Sequence, residues 1–181
     1  MIALSDGKVF IRPVNAGDIP AIYEAVRESI KEVSPWMQWC HSDYSEAETT
    51  AYVLARERSW ENDSDYGFGV FEVLTERYLG GVGLNFINRV HQCANLGYWV
   101  RTLSTRRGVA SSAARLAARF GLEELGLQRI EILVAVGNLP SQRAAEKTGA
   151  LREGVLRKRL LIAGQPHDAV LYSLIAEDLS A

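Results

Sequence analysis

The run Thr105-Arg106-Arg107-Gly108-Val109-Ala110 is a short polar turn that feeds straight into a helical pattern. The first turn of a helix leaves its N–H groups unpaired, and the helix dipole favours an anion there. Small residues at Gly108, Ala110 and Ser111 let phosphate oxygens approach those amides, and Arg106 and Arg107 can add charge-assisted contacts. The same residues also read as an ordinary helix start. They form neither of the two common nucleotide loops. No Gly-x-x-x-x-Gly-Lys-Ser/Thr run occurs, and Gly81-x-Gly83 continues into Leu84-Asn85-Phe86 instead of reaching a third glycine.

A second polar turn, Asn138-Leu139-Pro140-Ser141, opens another helix with Asn138 as its expected cap. Ser141 is then either a further capping residue or a hydroxyl free for chemistry. Cys40-His41 and His91-x-Cys93 offer four soft ligands, but neither pair has a zinc spacing, so no metal is expected. Trp36, Trp39, Trp60 and Tyr44 either wall an apolar ligand or belong to the core.

The elements that must position these residues follow from periodicity. Val109, Ala113, Leu116, Ala117 and Phe120 make a helical stripe over 108–125, which Gly126 stops. Ile130, Ile132, Val134 and Val136 alternate through a strand ending at Gly137, and Leu133 and Ala135 predict burial on its other face too. With a strand over 93–101 upstream, this is a right-handed crossover if the two strands pair in parallel. The helix that begins at Asn138 ends at Gly149, and strands follow over 150–161 and 167–175.

The first half reads as a strand over 8–14, then a helix capped by Asp18 that carries Ile19, Ile22, Tyr23, Val26 and Ile30. An aromatic loop over 34–41 breaks that helix, and a capping box of Ser45 and Glu48 opens another through about Trp60. Strands are expected over 66–74 and 78–88. Glycines at 80, 81 and 83 mark a bulge or a close backbone approach. No linker divides the chain, so residues 1–181 are expected to form a single domain.

With 181 residues, of which 48% are hydrophobic and 23% charged, the chain can bury a substantial core, and a net charge of -2 argues against disorder. No run of 18 apolar residues occurs, no signal-peptide pattern opens the chain, and two cysteines suit a reducing compartment; a cytoplasmic location is expected. Near-neutrality argues against general nucleic-acid binding. The charge is uneven, however. Glu24 to Glu76 holds twelve acidic and four basic residues, whereas Arg101 to Arg129 holds six arginines and two glutamates. An anionic ligand is therefore expected on the second half and a cationic one on the first, unless solvated helix faces simply differ in sign.

Four motifs then occur in order. They are Asn95-Leu96-Gly97-Tyr98-Trp99-Val100, Thr105 to Ala110, Gln128-Arg129-Ile130-Glu131, and Asn138-Leu139-Pro140-Ser141 with Ala145-Glu146-Lys147-Thr148-Gly149-Ala150. In this order they resemble a GNAT-superfamily N-acetyltransferase of the RimJ/RimL branch, whose known members acetylate the N-termini of ribosomal proteins. Ile11-Arg12-Pro13 and Ser34-Pro35-Trp36-Met37-x-Trp39 also fit that branch, so the resemblance covers nearly the whole chain. It implies an α/β (α+β) fold: a mixed, mostly antiparallel sheet with a splayed parallel strand pair and helices on both faces.

The resemblance further implies acetyl-CoA as co-substrate and no metal. Its pyrophosphate would lie on the amides of Thr105, Arg106, Arg107, Gly108, Val109, Ala110 and Ser111, although Thr105 departs from the family's Gln/Arg. Tyr98, Trp99 and Val100 would pair with the pantetheine arm, with a strand-end N–H, assigned to Val100, aimed at the acetyl carbonyl. Asn138 would touch the pantetheine, and Ser141 would protonate the sulfur. Tyr98 is read as structural or as an orienting hydroxyl. Trp36, Trp39 and Glu72 are expected to bind the acceptor. Where many relatives carry a glutamate base, this chain has Asn95, which cannot accept a proton. Glu72, His91 and Asp43 are alternatives, each also readable as a surface or paired residue, so the base is unassigned.

The implied acceptor is a primary amine: the basic N-terminus of a protein such as a ribosomal protein, a polyamine or an aminoglycoside. A non-catalytic acyl-CoA-binding module is the competing expectation that Asn95 keeps open. Homodimers are compatible with the branch, with the final strands, including residues 167–172, expected to cover the core's far edge.

Overall fold

Capping chemistry sets where the helices begin. In the computed structural model, which describes residues 3–179, Asn15 accepts the Gly17 N–H, and the Asp18 carboxylate accepts the Asn15 N–H across a 3-10 turn. The first helix, α1 (Ile19–Val33), continues from that turn. Asp18 does hold the N-cap position of α1, but its side chain caps no α1 amide, because Arg12 grips the carboxylate through two bonds of 2.7 Å; the side-chain cap is that of Asn15 on the preceding turn. Ser45 and Glu48 form the predicted capping box of α2 (Glu46–Glu61).

The strands are β1 (Leu4–Ser5), β2 (Val9–Arg12), β3 (Tyr66–Glu72), β4 (Tyr78–Asn88), β5 (Cys93–Val100), β6 (Arg129–Ala135), β7 (Leu151–Ile162) and β8 (Gln165–Leu174). Helices α3 (Val109–Arg119), α4 (Leu139–Lys147) and the short α5 (Ala176–Leu179) complete the chain. The helix expected over 108–125 stops being α-helical at Arg119, and a π turn at Phe120–Glu124 buries both Phe120 and Leu122.

All eight strands form one sheet in the order β1-β2-β3-β4-β5-β6-β8-β7. Every pairing is antiparallel except β5 with β6. That parallel pair is registered only from Cys93 opposite Arg129 to Asn95 opposite Glu131; beyond it the strands diverge into a fork. The expected mixed sheet with a splayed parallel pair is therefore the one observed.

Apolar periodicity places a packed layer on each face. Ile11, Phe68, Leu84, Leu96, Ile130 and Ile132 meet the Ala113, Leu116 and Ala117 stripe of α3. On the other face Ile22, Val26, Val53, Phe71 and Tyr78 pack between α1, α2 and the sheet. Each fully buried aliphatic side chain contributes about 1.5–3 kcal/mol, enough to hold the sheet between its helices. Trp60 joins the α3 side, with its indole N–H donating to the Gly67 carbonyl at 2.9 Å, so it belongs to the core.

The glycines of β4 do mark a bulge. Val70 pairs with Gly80 and Phe71 with Tyr78, which leaves Leu79 as the extra residue. Gly80 has φ +150°, and a Cβ there would run into the Trp99 carbonyl. The bulge thus brings β4 against the very end of β5.

Candidate active site

Strand alternation decides what the fork displays. The Arg101 N–H donates to the Leu79 carbonyl at 2.7 Å, so alternate groups of β5 turn toward β4. The N–H groups of Tyr98 and Val100 accordingly turn the other way, toward the diverging β6. A backbone donor at Val100 can therefore reach a group held in the fork.

Beyond β5 the chain makes a 3-10 turn (Thr102–Ser104) and enters the polar turn. Arg106 has φ +62° and Gly108 φ +81°, so two residues of the turn are left-handed. Gly108 is the N-cap of α3 and offers no side chain, so the first-turn amides of α3 have no side-chain cap. In α4, by contrast, Asn138 Oδ1 accepts the Ser141 N–H at 3.2 Å.

A buried clamp holds this turn in place. Arg101 is only 4% exposed and donates to Glu24 and Glu28 of α1. The Thr102 N–H donates to Ser29 Oγ at 3.0 Å and the Leu103 N–H to Glu28 Oε1 at 3.1 Å. Partial burial raises the Glu28 carboxyl, but the bonds from Arg101 and Leu103 outweigh it and hold the group below the usual range. The carboxylates expected to attract a cation thus partly neutralise the chain's own arginines.

A groove of about 540 Å³ runs along this turn. It is lined by Tyr98, Trp99 and Val100 of β5, by Thr105, Arg106, Gly108, Val109, Ala110 and Ser111, and by Asn138 and Ser141. Trp36 and Met37 close one wall, and α4 adds Pro140, Arg143, Ala144 and Lys147. A smaller cavity of about 200 Å³ lies within the fork, between Leu96, Gly97 and Tyr98 of β5, Ile132 to Ala135 of β6, and Leu160 to Ile162 of β7. The two share Trp36, Met37, Tyr98, Asn138 and Ser141, so they meet at two hydroxyls. Among the described residues, no charged side chain lines the smaller cavity.

At that meeting point the Tyr98 hydroxyl donates to the Ser141 carbonyl at 2.9 Å, and Ser141 Oγ donates to the Tyr98 hydroxyl at 3.1 Å. Burial pushes the Tyr98 pKa up to about 12, against the opposing effect of its bond with Ser141. The Ser141 side chain is therefore not a helix cap.

Arg107 and Glu72 lie outside both linings and pair with each other at 2.7 Å. The Thr75 hydroxyl and Arg107 hold the Glu72 carboxyl below its usual range, the opposite of what a base at neutral pH needs. Trp39 also lies outside both linings and stands edge-on to Trp99 at 5.5 Å. Asn95 donates to Asn85 on β4 at 2.8 Å. Neither Asp43, in the α1–α2 loop, nor His91, in the turn before β5, lines either space. Glu32 is the one acidic residue among the described lining of the groove, and its carboxylate accepts from the Thr102 hydroxyl at 3.1 Å.

Sequence reasoning passed over Arg143 and Lys147. The spacing of Pro140, Ala144 and Lys147 along α4 was the available signal, since positions three and four apart share one helix face. Among the described residues, no three His, Cys, Asp or Glu side chains gather as a metal site, and no helix is long and apolar enough to cross a membrane.

The fork, the uncapped glycine turn and the paired hydroxyls lie along one continuous groove and cavity. The chain belongs to the GNAT acetyltransferase family: the model of the acetyltransferase (GNAT) domain matches residues 8–151. It is 35% identical over 99 residues to Bacillus subtilis (strain 168) YdaF, assigned as a ribosomal N-acetyltransferase; the match spans 55% of this chain and 54% of that protein. A solved Vibrio cholerae structure assigned as a ribosomal-protein-serine acetyltransferase is 30% identical, covers 96% of this chain and 97% of its own, and superposes with a TM-score of 0.84. Mycobacterium smegmatis RimJ, solved with a CoA-disulfide, shares the fold at 21% identity and a TM-score of 0.87, covering 99% of this chain and 88% of its own.

Proposed function

We propose that this protein transfers an acetyl group from acetyl-CoA to the α-amine of a polypeptide N-terminus by direct attack, with no covalent enzyme intermediate. The amides from Val109 to Ser111 would hold the pyrophosphate, with Arg106, Arg143 and Lys147 as cationic partners for the phosphates. The pantetheine would enter the fork beside Tyr98, Trp99, Val100 and Asn138. A Val100 N–H aimed at the carbonyl oxygen would stabilise the tetrahedral oxyanion, a contribution of about 3 kcal/mol for such a donor. Ser141 Oγ would supply the hydrogen to the departing sulfur, and the acceptor would occupy the smaller cavity.

The observation that carries the acceptor class is the absence of a carboxylate or imidazole from the described lining of that cavity. Without a base at hand, turnover depends on the fraction of amine already neutral. An α-amine with a pKa near 8 is roughly one-tenth neutral at pH 7, whereas a lysine-like amine near 10.4 is neutral at about one part in 2,500. A lining with no negative charge also offers nothing to a polyamine or aminoglycoside. The fit is to an N-terminal residue with an uncharged side chain. Relatives named for ribosomal proteins support a protein acceptor without saying which one.

The test is CoA release at several pH values with short peptides bearing a free N-terminus, the same peptides N-terminally blocked but containing lysine, and spermidine. Free N-termini should be preferred by more than tenfold, with kcat/KM rising through a midpoint near pH 8 to a plateau above about pH 9. Preference for spermidine or lysine would overturn the acceptor assignment. Acetyl-CoA binding with no turnover on any amine would instead favour a binding module, the reading that the Asn95–Asn85 pair supports.

A further inference from the structure

The two hydroxyls that meet at the fork are not oriented for the role given to Ser141. Tyr98 has one hydroxyl hydrogen, and the Ser141 carbonyl takes it at 2.9 Å. In the 3.1 Å contact between the hydroxyls, Ser141 must therefore be the donor. Its hydrogen points at a phenol oxygen. The two residues sit 43 positions apart, one on β5 and the other in the first turn of α4, so the contact joins the two arms of the fork.

The phenol is too weak an acid to give up its own proton to a leaving thiolate. Its pKa is pushed up to about 12, whereas a thiol titrates at about 8.5. Moving a proton from this phenol to a thiolate is thus unfavourable by roughly three orders of magnitude.

We propose that Tyr98 is a positioning residue that acts through Ser141 by reversing one hydrogen bond. With a thioester sulfur in the fork, Ser141 Oγ–H turns from Tyr98 to the sulfur. The Tyr98 hydroxyl then turns from the Ser141 carbonyl to Ser141 Oγ. Each hydroxyl still donates one bond, and the Ser141 hydroxyl is polarised toward sulfur by accepting from the phenol. When the C–S bond breaks, its electron pair leaves on sulfur, the Ser141 hydroxyl stabilises that thiolate by a hydrogen bond while keeping its own proton, and the amine's proton goes to solvent. No proton leaves Tyr98. This inference rests on Ser141 as the sulfur's donor.

The experiment compares Tyr98→Phe, Ser141→Ala and the double variant, each checked by thermal melting, in steady-state acetyl transfer. Tyr98→Phe keeps the ring in the fork and should lower kcat about 5- to 10-fold, the loss expected for one neutral hydrogen bond, with KM for acetyl-CoA changed less than twofold. The double variant should be no slower than Ser141→Ala alone. Losses that multiply in the double variant would overturn the proposal, because Tyr98 would then act independently of Ser141. A normal kcat for Tyr98→Phe would overturn it as well, while leaving Ser141 as donor intact. A normal kcat for Ser141→Ala would remove the underlying reading and this one together. As a second probe, 3-fluorotyrosine at position 98 should leave the pH-rate profile unmoved; a limb that follows the lowered phenol pKa would make Tyr98 the acid and overturn the positioning role.

Discussion

The groove and the cavity inside the fork share five residues, yet the outer end of the groove and the cavity differ in electrostatics. The outer end gathers uncapped amides with Arg106, Arg143 and Lys147, whereas no charged side chain lines the inner cavity. An anchor that never reacts gains from fixed positive charge. A reacting amine must be neutral to attack, and a carboxylate beside it would hold it protonated. On the proposed reading, one site separates recognition of the donor from activation of the acceptor.

The strongest way to break this comparison is to reverse the outer charge. Gly108→Glu places a carboxylate over the α3 amides and should weaken CoA binding by 100-fold or more in calorimetry. Gly108→Ala is the control, since φ +81° strains any side chain: it should cost about 1 kcal/mol of stability and far less affinity. Near-normal CoA binding by Gly108→Glu would mean the phosphates lie elsewhere.

The converse change puts charge inside. Leu161 lines the inner cavity at 70% exposure, so Leu161→Glu should fold normally. Turnover of peptides with neutral first residues should fall about tenfold, while CoA affinity stays constant. Improved turnover would show that the acceptor wants a carboxylate after all.

Smaller effects belong to single cations. Lys147→Ala or Arg143→Ala should each weaken CoA binding about 3- to 10-fold, less so at high salt, with kcat at saturation unchanged. A change in kcat alone would move these residues from the anchor to the chemistry.

The smallest effect lies outside both regions, at the closed end of the fork. Arg129 there grips Glu153 through two bonds of 2.6 Å and Glu131 through one of 2.9 Å. Arg129, then the Ser173 hydroxyl, lowers the Glu153 pKa to about 2. A carboxyl whose folded pKa is depressed adds stability above its unfolded value, near 4.5, and loses it as pH falls through about 2. Glu153→Gln should therefore cost roughly 1 kcal/mol or less at pH 7 in urea unfolding, since the pair is partly exposed, and nothing near pH 2. An equal cost at both pH values would deny the pair its electrostatic role.

What the sequence revealed followed the range of the interactions involved. Periodicity within single elements located α3, β6 and α4, and motif order implied the fork. The capping box at Ser45 was legible because it spans three residues. Asn15 and Asp18 are equally good caps by type, and only the Arg12 pairing separates their roles. The acidic half as a cation site rested on counting charges. Counting cannot show that Arg107 and Arg101 arrive to neutralise those carboxylates. The Tyr98–Ser141 contact was equally hidden, because it requires two chain segments to meet across the fork.

The Arg101 clamp bears on the entropy of binding. Loops that fold around a phosphate lose backbone freedom at that moment, at about 1–2 kcal/mol per residue. Here Glu24, Glu28 and Ser29 fix the approach to the polar turn while the chain folds. The ordering cost is then borne by the folding of α1 against the sheet, and more of the phosphate contact energy appears as affinity. Weakening α1, which lies outside the proposed phosphate turn, should therefore lower affinity for the nucleotide tail.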